Sequence, residues 1–189
     1  MKFTVLEDTP LTYRFKISDT SYNFANALRR VAISSVGCLA IDKVTFYENT
    51  SSIFDEYIAH RIGLVPIVTP SNYDEKDEVT FSLSAEGPAT VYSKDLKSAD
   101  KSVKVANENI PIMKLAEGQS LRLEGKAILG IGSKSSKFQP GIISYKSMDN
   151  ESEFEFFVES YGQMPAHEII KRALNIISSS VKEVHKELK

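Results

Sequence analysis

Three histidines (His60, His167 and His185), a lone cysteine (Cys38) and the glycine pair Gly130 and Gly132 are the residues whose chemistry would first suggest a catalytic or metal site. Their spacing speaks against each. His167 and His185 share one helical segment but lie eighteen residues apart, whereas a helix offers two ligands to one metal from neighbouring turns. Each histidine reads as a surface or satisfied structural residue. One cysteine forms no internal disulfide and falls short of a thiolate cage. Gly130-Ile131-Gly132 begins like a dinucleotide loop, yet position 135 is serine and no helical pattern follows, so the phosphate-cradling geometry is not built. No serine sits in a Gly-x-Ser-x-Gly elbow. The acidic run Asp74-Glu75-Lys76-Asp77-Glu78 lacks the glycine turn of a calcium loop and reads as solvated. The expectation is no catalytic site, no cofactor and no bound metal.

Residues suited to recognition are better organised. After the polar cluster Ser18 to Ser21, which supplies capping side chains, Phe24, Ala27, Leu28, Val31 and Ser35 recur at helical spacing until Gly37. Phe24, Leu28 and Val31 mark one face of this helix; Asn26, Arg30 and Ile33 fall on the opposite one. An arginine beside an apolar residue on an outer face suits a contact surface, because the planar guanidinium pairs carboxylates and carbonyls. A second helix closes the sequence. Gly162 and Pro165 set up its start, and Ala166, Ile170, Ala173, Ile177, Val181, Val184 and Leu188 step by three or four over about 24 residues, roughly 36 Å. The stripe serves equally to cover the chain's own sheet or to pack on another chain.

The rest of the chain positions these helices. Leu11, Tyr13, Phe15 and Ile17 alternate with Thr12, Arg14 and Lys16 as in a half-buried strand, and Phe3 and Val5 before the Glu7-Asp8-Thr9-Pro10 turn supply its hairpin partner. From Ile41 to about Asn150 short alternating runs such as Val44 to Phe46, Val79 to Leu83, Thr90 to Tyr92 and Leu121 to Leu123 predict strands, with one short helix from Ile53 to Gly63 on Phe54, Ile58 and Ile62. Phe154, Phe156 and Val158 then alternate with Glu153, Glu155 and Glu159 in a returning strand. With 23 basic and 25 acidic residues spread along 189, no block has the positive field that extended nucleic-acid contact requires, so direct DNA binding is not expected. No apolar run approaches the ~20 residues of a membrane span, and Met1-Lys2-Phe3-Thr4-Val5 is no signal peptide. A reducing, cytoplasmic setting is expected.

Phe24-Ala25-Asn26-Ala27-Leu28-Arg29-Arg30 resembles the Asn-Ala-Leu-Arg-Arg signature of the α-like subunits of DNA-dependent RNA polymerase. Ala59-His60-Arg61-Ile62-Gly63-Leu64-Val65-Pro66-Ile67 is similar to the His-Arg-Ile-Gly-Leu-Ile-Pro segment of the archaeal D form and its eukaryotic counterpart. Gly87 to Asp95, Leu115 to Gln119, Lys137, Gln139 and Pro140, and Glu159 to Gly162 followed by Pro165, match further family landmarks in order. Together they cover nearly the whole chain.

The resemblance implies an α+β protein with a split dimerisation domain at residues 1–42 and 151–189 and an inserted β-rich domain at 43–150. It implies a non-catalytic assembly platform that heterodimerises with the smaller subunit L and then recruits the second-largest and largest subunits and small zinc-binding subunits. The nucleotidyl-transfer site lies in the large subunits. The L-facing residues would be Phe24, Leu28, Val31, Ile170, Ile177, Val181 and Val184; Arg29, Arg30 and Ile33 would meet the second-largest subunit. Three departures qualify the match. Gly141 to Asn150 runs without cysteine through the place where many D forms carry an iron–sulfur domain, which excludes a cluster. Ser135-Ser136-Lys137-Phe138 stands for the usual His-Ala-Lys-Trp. The sequence ends at the long helix, with no linker to a further DNA-binding domain as in the bacterial α subunit. Two rivals are a homodimeric α-like scaffold and a stand-alone ligand-binding α+β protein using the Gly130 to Gly132 loop.

Overall fold

Tyr13, Phe15 and Ile17 are buried while Arg14 and Lys16 between them stay half-exposed, so the predicted alternation organises a strand, β2 (Thr12–Ser18). It pairs antiparallel with β1 (Lys2–Asp8) on one side and β10 (Phe154–Ser160) on the other. The other elements are α1 (Tyr22–Ser34), β3 (Gly37–Asn49), α2 (Asp55–Gly63), β4 (Glu78–Glu86), β5 (Ala89–Tyr92), β6 (Lys97–Ser98), β7 (Pro111–Leu115), β8 (Ser120–Ile131), β9 (Gly141–Ser147) and α3 (Ala166–Glu187). This computed structural model describes residues 1–71, 73 and 77–188. Asp74, Glu75 and Lys76 of the acidic run lie outside the described residues.

The elements form an α+β fold of two compact units, Met1–Gly37 with Ile131–Lys189, and Cys38–Gly130. The chain re-enters the first unit at Ile131, earlier than the residue 151 expected from sequence. The reason is β9: the stretch read as a bridge is a strand that pairs with β10 along its length, from Ser147 opposite Phe154 to Gly141 opposite Ser160.

In the first unit the sheet order is β1-β2-β10-β9, and α1 and α3 pack on one of its faces. An aromatic row crosses all four strands on that face: Phe3 stacks on Phe15 (centroids 4.8 Å), Phe15 on Phe156 (4.9 Å, 5° between planes), and Tyr145 lies 5.3 Å from Phe156. Directly opposed residues in an antiparallel pair share a face, and stacking adds about 1 kcal/mol to the area such rings bury.

The second unit is built on the sheet β3-β8-β4-β6, with β5 and β7 paired beside it. Leu83 faces Leu123 and Phe81 faces Gly125, where a side chain would meet Ile41 at 2.9 Å. α2 closes this core with Ile58 and Ile62, both fully buried. Its Asp55 and Glu56 in the first turn and His60 and Arg61 in the last complement the helix dipole. Phe54 departs from the expected buried row: it is the N-cap, and its ring is 80% exposed.

Candidate subunit interface

The start of α1 is fixed by Ser21, whose hydroxyl accepts from the Phe24 amide at 3.3 Å. The face turned inward is Ala25, Leu28 and Ala32, all without accessible surface, against α3 and β9. Small side chains here let the helix approach closely, and this rotates the helix from its expected orientation. Phe24 and Val31 sit at the margin, half-buried, with Ala27 exposed between them. Arg30 is exposed and Ile33 half-exposed; Arg29, half-buried, donates from Nη2 to Asn26 Oδ1 at 3.0 Å.

The end of α1 is held by the loop after β8. The Ser133 amide donates to the Ser34 carbonyl at 2.9 Å, and Gly132 lies where a Cβ would stand 2.3 Å from the Ile33 carbonyl oxygen. The glycine of the supposed dinucleotide loop is thus used for close backbone approach.

α3 has no side-chain cap. Its first amide, Ala166, donates to the Pro10 carbonyl, so the β1–β2 turn fixes its origin, and His167 Nδ1 lies 3.2 Å from Asp8 Oδ1. Ala166, Ile169, Ile170 and Ala173 are buried against β2, β10 and α1. From Ser178 to Leu188 every residue is exposed, and the apolar stripe continues regardless: Val181 is 63% exposed, Val184 60% and Leu188 81%. Ile177 is half-buried at the transition. On β1, Phe3 and Val5 also remain about half-exposed on the helix-bearing face of the sheet.

The sequence-derived contact set therefore divides. Leu28 and Ile170 are 0% and 2% exposed, so a second chain has no surface of theirs to touch; they hold α1 and α3 in place instead. Phe24, Val31, Ile177, Val181 and Val184 keep accessible apolar surface, and Phe3 and Val5 join them. The signal for these last two was present in the alternation of the N-terminal strand, but an edge strand's apolar face reads as core unless the helices stop short of it.

The opposite face of this sheet carries a charged cluster beside the exposed Phe157 and Ile142. Arg14 Nη2 donates to Glu155 Oε1 at 2.7 Å and Lys146 Nζ to its Oε2 at 3.1 Å, with Glu7 3.8 Å from Arg14. The Arg14 hydrogen bond, then that from Lys146, holds the nearly buried Glu155 carboxyl below the usual carboxylate range. Among the described residues no three His, Cys, Asp or Glu side chains converge as a metal site, and no helix is long and apolar enough to cross a membrane. What this unit presents is a mixed sheet face with a charged cluster on one side and a helical face left half uncovered on the other.

Residues 41–148 match the RNA polymerase Rpb3/RpoA insert domain. The chain belongs to this family of RNA polymerase subunits. In particular, it is similar to the archaeal DNA-directed RNA polymerase subunit Rpo3: 46% identical to that of Methanocaldococcus jannaschii over 88% of this chain and 85% of the relative. Identity is 48% to that of Thermococcus kodakarensis over 77% of this chain, and 48% to that of Pyrococcus furiosus over 75%. The chain spans 59% and 57% of the length of those last two relatives.

Proposed function

We propose that this chain is a non-catalytic assembly subunit of a cytoplasmic DNA-dependent RNA polymerase, pairing through the helical face of its first unit with a smaller subunit of the L type. The observation that carries the reading is the outer half of α3. A stripe that is covered as far as Ala173 continues in the same register through Val181, Val184 and Leu188 with nothing over it. Isolated short helices are marginal in water, so a solvated end with an apolar stripe is best accounted for by a second chain. The split dimerisation domain is then the unit Met1–Gly37 with Ile131–Lys189. The pair would recruit the second-largest and largest subunits and small zinc-binding subunits, with Arg29, Arg30 and Ile33 toward the second-largest.

The test is expression alone and with an L-type subunit, read by light scattering. Alone, the chain self-associates or precipitates; together the two give a soluble one-to-one pair. A well-behaved monomer indifferent to subunit L would end the reading.

A further inference from the structure

The unit Cys38–Gly130 carries an exposed stripe of its own. Phe54 and Leu64 cap α2 at its two ends, and Tyr57 and Arg61 between them lie one turn apart on its exposed side. These exposed residues border the buried side formed by Ile58 and Ile62. Phe54 is 80% exposed, Tyr57 59% and Leu64 50%. Three large apolar side chains around one arginine on a short helix and its caps is the composition of a protein-contact hot spot.

The stripe is held rigidly before any partner arrives. Asn49 Nδ2 donates to the Ile53 carbonyl at 2.9 Å and to Asp55 Oδ1 at 2.7 Å, and the Ser51 amide donates to Asn49 Oδ1 at 3.1 Å. This closed turn holds the backbone before Phe54 and the Asp55 side chain after it. Arg61 Nη2 donates to the Pro111 carbonyl at 2.5 Å. That anchor leaves most of the guanidinium's five donors unused.

Charge selects the occupant. Arg61 is the one charged side chain among these four, with Asp55 turned to the Asn49 amide and Glu56 displaced from them around the helix, so the centre of the stripe is cationic. We propose that α2 is a docking surface for an apolar protein segment bearing a carboxylate, contributed by another subunit of the same assembly. The carboxylate takes the free edge of Arg61, the geometry for which a planar fork is suited, and apolar neighbours cover Phe54, Tyr57 and Leu64. A nucleic-acid backbone is disfavoured, because a single arginine among apolar side chains is not a phosphate track. The proposal rests on the assembly reading for the source of its partner but uses none of the first unit's residues.

The experiment replaces Phe54 by photoreactive p-benzoylphenylalanine in a tagged full chain, recovers the polymerase from its host, irradiates it and identifies cross-linked peptides by mass spectrometry. The expected result is one protein segment with Asp or Glu among apolar residues. Arg61→Glu and Tyr57→Ala should each lower cross-link yield roughly tenfold while the L-type subunit still co-purifies. Cross-links to nucleic acid, to its own chain only or to a segment without a carboxylate would overturn the proposal, as would yield unchanged by both substitutions. Recovery of the chain free of any partner would overturn the assembly reading as well.

Discussion

Gly132 lies against the last turn of α1 so closely that a methyl group on its Cα would stand 2.3 Å from the carbonyl oxygen of Ile33. Backbone, not a flexible side chain, occupies that position, so relief requires moving either the helix end or the loop from β8. Gly132→Ala is predicted to destabilise the protein by about 2 kcal/mol or more, in the range of overpacking. Gly118, whose φ is +76° but which has open space around it, should cost only about 1 kcal/mol when made alanine. Urea unfolding of both variants checks the order. A Gly132→Ala loss no greater than that of Gly118→Ala would show that the contact is slack.

Val184→Asp and Leu28→Asp should separate pairing from folding. Val184 is 60% exposed and Leu28 is inaccessible. The first substitution should leave helix content unchanged and abolish the pair with an L-type subunit in size-exclusion chromatography. The second buries an unpaired charge and should unfold the first unit, a cost of several kcal/mol. Normal pairing by Val184→Asp would remove the outer half of α3 from the interface.

Arg30→Ala tests the other side of α1. Exposed and remote from the Ala25, Leu28 and Ala32 face, Arg30 should be dispensable for the pair. Loss of an interface arginine should weaken capture of the second-largest subunit on the immobilised pair by more than about 1 kcal/mol. Capture equal to wild type, or loss of the pair itself, contradicts the two-sided assignment of this helix.

Glu155 makes acid stability measurable at one site. Its carboxyl is held below the ordinary range chiefly by Arg14 and then Lys146. A depressed folded value means the contribution is complete above the unfolded value of roughly 4.3 and disappears as pH falls through the folded one. Glu155→Gln should therefore lower stability at neutral pH and flatten its decline below about pH 4, in thermal melts between pH 7 and 3. An unchanged acid slope would mean that other carboxylates carry it.

The sequence made β2 legible because Tyr13, Phe15 and Ile17 alternate with charges, and α3 because its stripe never breaks register. The inner face of α1 was harder to read. Ala25 and Ala32 carry little hydrophobic weight, so Phe24 and Val31 drew the face toward themselves, although close helix packing favours small side chains. β9 was missed because Gly141-Ile142-Ile143-Ser144-Tyr145 does not alternate cleanly: Ile142 is 49% exposed on one face and Ile143 buried on the other. The α2 stripe was hidden by assigning Phe54 to the row of Ile58 and Ile62. Spacing of four fits that row, and only the placement of the ring outside the helix's first turn separates it. The Arg29 and Arg30 pair stood out by type, but no pattern in the sequence distinguishes the half-buried Arg29 from the exposed Arg30.

The uncovered end of α3 also bears on how a cell would keep its subunits in proportion. If Val181, Val184 and Leu188 are shielded only in the pair, a copy made in excess displays them, the kind of exposed apolar segment that chaperones retain and proteases cut first. Surplus chain would thus be marked for removal by this uncovered stripe. Pairing would erase the mark, so the supply of the smaller partner would set the lifetime of this one without any separate regulator.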